Sequence, residues 1–144
     1  MSAGLIVGFT GSREGMSPEQ LSAFRDLFPN LNAVEFHHGV CVGSDEQAHR
    51  LVKTLSPLTR VIGHPPIRKD YLAKISDCDY YEEPKDYLVR NKIICDRSTV
   101  MIATPNSFSE QLRSGTWSTI RYALNKEMEV LVIFPDGSRE LRRK

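Results

Sequence analysis

Five short apolar runs, Leu5–Thr10, Val34–His38, Thr59–Gly63, Val100–Ala103 and Val130–Phe134, are separated by segments with helical periodicity, and this alternation restricts the chain to few folds. Each run is too short for a helix and reads as a buried strand. After the first, Ser17-Pro18-Glu19-Gln20 supplies a capping serine, a first-turn proline and a glutamine three residues on. Leu21, Phe24, Leu27 and Phe28 follow at helical spacing until Pro29-Asn30. A second capping box, Ser44-Asp45-Glu46-Gln47, opens a helix whose inner face is Ala48, Leu51, Val52 and Leu55. Asp86 is placed to cap a third helix through about Arg97, and Thr116 opens another through about Glu127. Between His64 and Pro84 the pattern is weak, which predicts an excursion with at most a short helix and a short strand. Strands alternating with helices specify an α/β domain with a mainly parallel sheet.

In such sheets ligands bind beyond the carboxyl ends of the strands, near the point where strand order reverses. Gly11-Ser12-Arg13, His38-Gly39 through Asp45, His64-Pro65 and Ser114-Gly115-Thr116 each follow a strand, so they should meet on one rim. Ser114-Gly115-Thr116 before a helix suits an anion, because free backbone N–H groups and the positive end of the helix dipole face outward there. The same triplet also serves as a plain helix cap. Gly11 and Ser12 permit close approach of a ligand, and Arg13 offers a bidentate fork to phosphate. Gly43 and Ser44 can cradle an anion, although capping alone explains Ser44.

Asp45 suits a helix start through the dipole, and it is also the best-placed carboxylate to bond a ribose hydroxyl or activate water. His49 shares its helix face, but one carboxylate and one histidine fall short of a catalytic zinc set. Arg90 and Asn91 fall in the first turns of the third helix, where they can read phosphate and base. Trp117, beside Ile120 and Leu124, reads as core.

The 144 residues suffice for a single domain over 1–138, and a net charge of +1 argues against a dedicated nucleic-acid module. Four of the last six side chains, in RELRRK, are cationic, so 139–144 reads as a flexible basic tail. Cys41, Cys78 and Cys95 show neither C-x-x-C spacing nor a Cys/His zinc pattern. Reduced thiols in a cytoplasmic protein are the expectation, with no metal or organic cofactor required. No apolar stretch is long enough to span a membrane.

These segments resemble the SLOG superfamily of Rossmann-like nucleotide-binding proteins, which includes the DNA-processing protein A, Lonely Guy and YpsA-like families. Gly8–Arg13 (GFTGSR) is similar to the first-strand turn, and Gly39–His49 (GVCVGSDEQAH) to the second glycine-rich turn. Arg90-Asn91-Lys92-Ile93-Ile94 and Ser114-Gly115-Thr116 followed by Ile120–Leu124 resemble two further segments of the DNA-processing relatives. The resemblance implies a Rossmann-like three-layer domain, a phosphorylated nucleotide or nucleotide-derived ligand, and homodimer formation through helices flanking the sheet.

It also exposes a departure. The Lonely Guy hydrolases carry a catalytic glutamate where this chain has Thr119. Threonine cannot stabilise an oxocarbenium-like state or activate water at neutral pH. Binding, as a sensor or carrier, is therefore the leading expectation. Cleavage of a nucleoside 5′-monophosphate, with Asp45 or Glu110 as replacement carboxylate, is the alternative; binding of single-stranded nucleic acid would need a basic groove with stacking aromatics.

Overall fold

The computed structural model describes residues 4–144. The elements follow in the order β1 (Leu5–Gly11), α1 (Pro18–Leu27), β2 (Ala33–His38), α2 (Ser44–Leu55), β3 (Arg60–Gly63) and β4 (Tyr80–Tyr81). They continue with α3 (Tyr87–Asp96), β5 (Val100–Thr104), α4 (Gly115–Asn125), β6 (Glu129–Ile133) and β7 (Arg139–Arg142). The strands form one sheet in the order β4-β3-β2-β1-β5-β6-β7, parallel except for the last pair. From β1 the chain builds outward through β2 and β3, then returns to place β5 on the other side of β1. The strand order therefore reverses between β1 and β5.

The apolar faces read from the sequence make two cores. On one face α1, the turn that follows it and α2 bury Phe24, Phe28, Ala48 and Val52 against Phe9 and Phe36 of the sheet. The four phenylalanines pack with ring centroids 5.2–6.1 Å apart. On the other, Ile94 and Cys95 of α3 and Trp117, Ile120 and Ala123 of α4 cover Met101, Ala103, Val130 and Val132. Trp117 belongs to this core, with its indole N–H donated to Ser107 Oγ at 3.0 Å. The domain is thus the three-layer α/β arrangement that strand–helix alternation requires.

Helix α1 has its full capping box, with Ser17 accepting from Gln20 N while the Gln20 side chain accepts from Ser17 N. Gln20 also donates to Pro105 O and Ile133 O, tying α1 to the ends of β5 and β6.

Three local expectations are corrected. Helix α2 starts behind Gly43, not Ser44, whose hydroxyl donates to Ser12 O at 2.7 Å. Helix α4 starts at Gly115, capped by Ser114 Oγ accepting from Trp117 N, so Thr116 lies within its first turn. Within the stretch read as a basic tail, Arg139–Arg142 forms a strand that pairs with β6 through a turn at Asp136-Gly137. Arg142 lies over the Trp117 ring, and Arg143 pairs with Glu129 at 2.7 Å. Pro135-Asp136-Gly137 is the turn signal that marks this hairpin in the sequence.

Candidate functional site

A cavity of about 510 Å³ opens at the carboxyl ends of β1, β2 and β5, over the point where strand order reverses. Its wall contains Gly11, Ser12, Arg13, Asp45, Arg90, Asn91, Ser114, Gly115 and Thr116. Gly43 and Ser44 lie behind the wall instead. Ser44 donates its N–H and its hydroxyl to Ser12 O, at 3.0 and 2.7 Å. Gly43 adopts φ +88°, and a Cβ there would lie 2.1 Å from the Arg13 carbonyl oxygen. The two residues hold the Ser12-Arg13 turn in place from underneath.

One end of the cavity is formed by the N-terminus of α4. Gly115 and Thr116 open α4, so their N–H groups have no intrahelical acceptor. A Cβ on Gly115 would meet nothing closer than Tyr87 Cε2 at 3.6 Å, so the space above this terminus is open. Arg13 and Arg113 line the same cavity, and the Arg13 guanidinium sits 3.9 Å from the centre of the Tyr71 ring. Below, at the end of β5, Thr104 Oγ1 is the one buried side-chain polar atom without a partner among the described residues.

The other end is organised around Arg90, which is 6% exposed. Its Nη1 donates to Gly39 O at 2.6 Å and to His64 O at 3.0 Å, while Nε donates to Asn91 Oδ1 at 2.7 Å. Arg90 thus ties the ends of β2 and β3 to α3, with most of its donors already used. A Cβ on Gly39 would come within 2.3 Å of Arg90 Nη1 and 2.8 Å of Asp45 Oδ2, so only glycine fits there. Val40 follows in the left-handed region at φ 54°, a costly conformation for a β-branched residue. That turn directs the N–H groups of Gly39 and Cys41 onto Asp45 Oδ2, at 3.1 and 3.2 Å. Burial pushes the Asp45 carboxyl up to about 6, against the opposing pull of Arg90 and the two N–H donors. Burial likewise raises the Cys41 thiol.

The other residues considered from sequence lie elsewhere. Glu110 pairs with Arg121 on the surface and does not line the cavity. Thr119 is buried within α4, donating to Gly115 O at 2.9 Å. His49 does not share a ligand with Asp45. Its Nδ1 lies 3.0 Å from His38 Nε2 and its Nε2 lies 2.6 Å from Asp77 Oδ1. With Cys78, these histidines form the one group among the described residues whose ligand atoms, all within 4.8 Å of one another, could share a metal ion. Its members come from β2, α2 and the excursion before β4, so no local spacing marks the group. The hydrogen bonds leave little room for an ion. Val40 N donates to His38 Nδ1 at 3.0 Å, so the His38 proton is on Nε2 and points at His49. Sequence reasoning also missed Ile67, Tyr71 and Tyr87, which line the cavity from the weakly patterned stretch and the start of α3.

The fold and the position of the cavity define a Rossmann-like α/β protein. No protein-family profile matches the chain, and no curated protein matches it in sequence. Among solved structures it is similar to the molybdenum cofactor binding protein from the phototrophic bacterium Rippkaea orientalis, with a TM-score of 0.69 and 22% identity over 93% of this chain and 78% of that chain. It is also similar to the structural-genomics protein TM1055, with a TM-score of 0.61 and 16% identity over 88% of this chain and 72% of that one. At these identities the likeness is one of fold. Among the described residues no helix is long and apolar enough to cross a membrane.

Proposed function

We propose that the protein binds a phosphorylated nucleotide or nucleotide-derived cofactor in the rim cavity and acts as a carrier or sensor for it. The observation that carries this reading is the open N-terminus of α4, facing the cavity together with the Ser12-Arg13 turn and Arg113. A helix N-terminus beside arginines stabilises a phosphate through backbone N–H donors, the dipole and charge-assisted bonds. Such bonds contribute about 1.5–3 kcal/mol each, and micromolar affinity needs about 8 kcal/mol, so a few of them with a partly buried ring suffice. The resemblance to the SLOG superfamily and the cofactor-binding protein among the structural neighbours support the same class of ligand.

Calorimetric titration with inorganic phosphate, ribose 5-phosphate and nucleoside 5′-monophosphates tests the reading. Gly115→Val fills the space above the helix terminus, and Arg13→Ala removes the fork; each should weaken binding at least tenfold without lowering the melting temperature. Absence of binding by every phosphorylated compound, or wild-type affinity in both variants, overturns the proposal.

A hydrolase reading has one observation in its favour, the buried Asp45 carboxyl beside the cavity with its proton affinity raised. Free base released from a nucleoside 5′-monophosphate, and lost in Asp45→Asn, would establish it. The surface pairing of Glu110 and the inward bond of Thr119 leave Asp45 as its only remaining carboxylate among those considered.

A further inference from the structure

The geometry points to Asp45 and Asn91 as a preset acceptor–donor pair that reads the edge of a heterocyclic base, at the end of the cavity away from α4. This rests on the proposed cavity function and adds the part of the ligand that phosphate binding leaves unspecified.

Asp45 is 8% exposed, and both of its hydrogen bonds to protein go to one oxygen, Oδ2. The other oxygen, Oδ1, has no protein partner among the described residues, and the side chain lines the cavity. Among the described residues Thr104 Oγ1 is the buried side-chain polar atom left without a partner, so Asp45 Oδ1 is instead reached from the open cavity, where a ligand N–H or O–H can take the place of water. Asn91 is set in the complementary sense. Because Arg90 Nε can only donate, the Asn91 oxygen must face it, at 2.7 Å. The amide nitrogen is left to the cavity as a donor.

Asp45 is held by the Gly39 and Cys41 N–H groups and Asn91 by Arg90 Nε, and Arg90 also bonds the Gly39 carbonyl, so one linked network sets both directions before a ligand arrives. Their separation from the phosphate end follows from the sheet. Asp45 stands beyond β2 and the α4 terminus beyond β5, with β1 between them. Two strand spacings are about 10 Å, a span suited to a nucleotide's phosphate and base. Tyr87 and Ile67 also line the cavity and offer apolar surface to a planar ring. The ligand class is thus a phosphorylated heterocycle with a hydrogen-bond donor adjacent to an acceptor on one edge.

The anchoring makes the test directional. In Asp45→Asn, the Gly39 and Cys41 N–H groups retain the new amide oxygen, so its NH₂ turns to the cavity and an acceptor becomes a donor. In Asn91→Asp, Arg90 retains one oxygen and the other faces the cavity, so a donor becomes an acceptor. Titrations at pH 8, where Asp45 is ionised, would compare GMP, AMP and ribose 5-phosphate against wild type, each single variant and the double variant, with thermal unfolding confirming that each is folded. The expected result is that wild type binds one monophosphate at least tenfold more tightly than ribose 5-phosphate. Each single variant should lose that advantage while retaining ribose 5-phosphate binding, and the double variant should recover base-dependent binding. Equal wild-type affinity for base-bearing and base-free phosphates, or discrimination unchanged in both single variants, overturns the inference while leaving phosphate binding standing. If the matching nucleosides bind wild type and lose affinity in Asp45→Asn while phosphate and ribose 5-phosphate fail to bind, the phosphate reading falls and the edge-reading pair stands.

Discussion

Two groups of buried polar residues lie within a few positions of each other at the end of β2, and they differ in whether their hydrogen bonds are complete. His37 and His38 project to opposite faces of the sheet. On one face, Glu35 accepts from His37 Nε2, and His37 Nδ1 meets His64 Nε2 at 2.8 Å. On the other, Val40 N, His38, His49 and Asp77 form an unbroken chain. Every ring nitrogen of His37, His38 and His49 has a protein partner. In the cavity wall, Asp45 Oδ1, the Asn91 amide nitrogen and the N–H groups of Gly115 and Thr116 have none among the described residues. The histidine network is taken up by the fold itself, whereas the cavity groups face open space, and this contrast is what the proposed binding function rests on.

The sharpest way to break this comparison is at Arg90, which serves both regions. Arg90→Ala strands the carbonyls of Gly39 and His64 and removes the cation near Asp45, and it should destabilise the fold by about 3 kcal/mol or more in urea unfolding. Loss below about 1 kcal/mol would mean that water replaces the guanidinium readily. Next, His38→Leu leaves Val40 N and His49 Nδ1 without partners and should cost about 2 kcal/mol, with ligand affinity unchanged in the folded protein. A change in affinity comparable to the stability loss would merge the two regions into one.

Acid titration separates them by sign. Burial lowers His37, holds His38 well below its ordinary value and takes His64 to about 3. These groups contribute stability above pH 6.5 that disappears as the pH falls toward their folded values. Asp45 acts in reverse: its rise from 3.8 to about 6 favours the folded protein at low pH and costs it about 3 kcal/mol once the pH passes 6. Asp45→Asn should therefore raise stability at pH 7.5 and steepen its fall between pH 6 and 4. A parallel pair of stability curves would show that Asp45 is not held in the desolvated site. The smallest expected effect is at Asp77, whose side chain is 62% exposed. Asp77→Ala should cost no more than about 1 kcal/mol by thermal unfolding, since only the outer end of the His38–His49 chain opens to water. A loss of several kcal/mol would instead make that bond central to the chain.

Much of the fold was legible because its signals are local. The Ser17 capping box, the helical spacing of Leu21, Phe24 and Leu27 and the short apolar strands depend on neighbours in the chain. The rim was legible for the same reason: glycine and hydroxyl clusters follow β1 and β5, and parallel strands bring such clusters to one edge. The role of Arg90 was not legible, because its acceptor Gly39 O lies 51 residues away. Gly43 and Ser44 have the residue types of an anion cradle, yet the close packing of α2 under the Ser12-Arg13 turn turns them away from the cavity. The C-terminal strand was obscured by its charge, since Arg139, Glu140 and Arg142 occupy a sheet edge where polar side chains remain in water.

Periodicity, caps and turn residues by themselves determined an α/β domain, its parallel strands and the rim where chemistry would gather, because near-neighbour sterics and hydrogen bonding set those patterns. Tertiary structure alone decided which rim groups spend their hydrogen bonds on the protein and which face open space. That choice depends on contacts between residues far apart in sequence, made only when the layers pack.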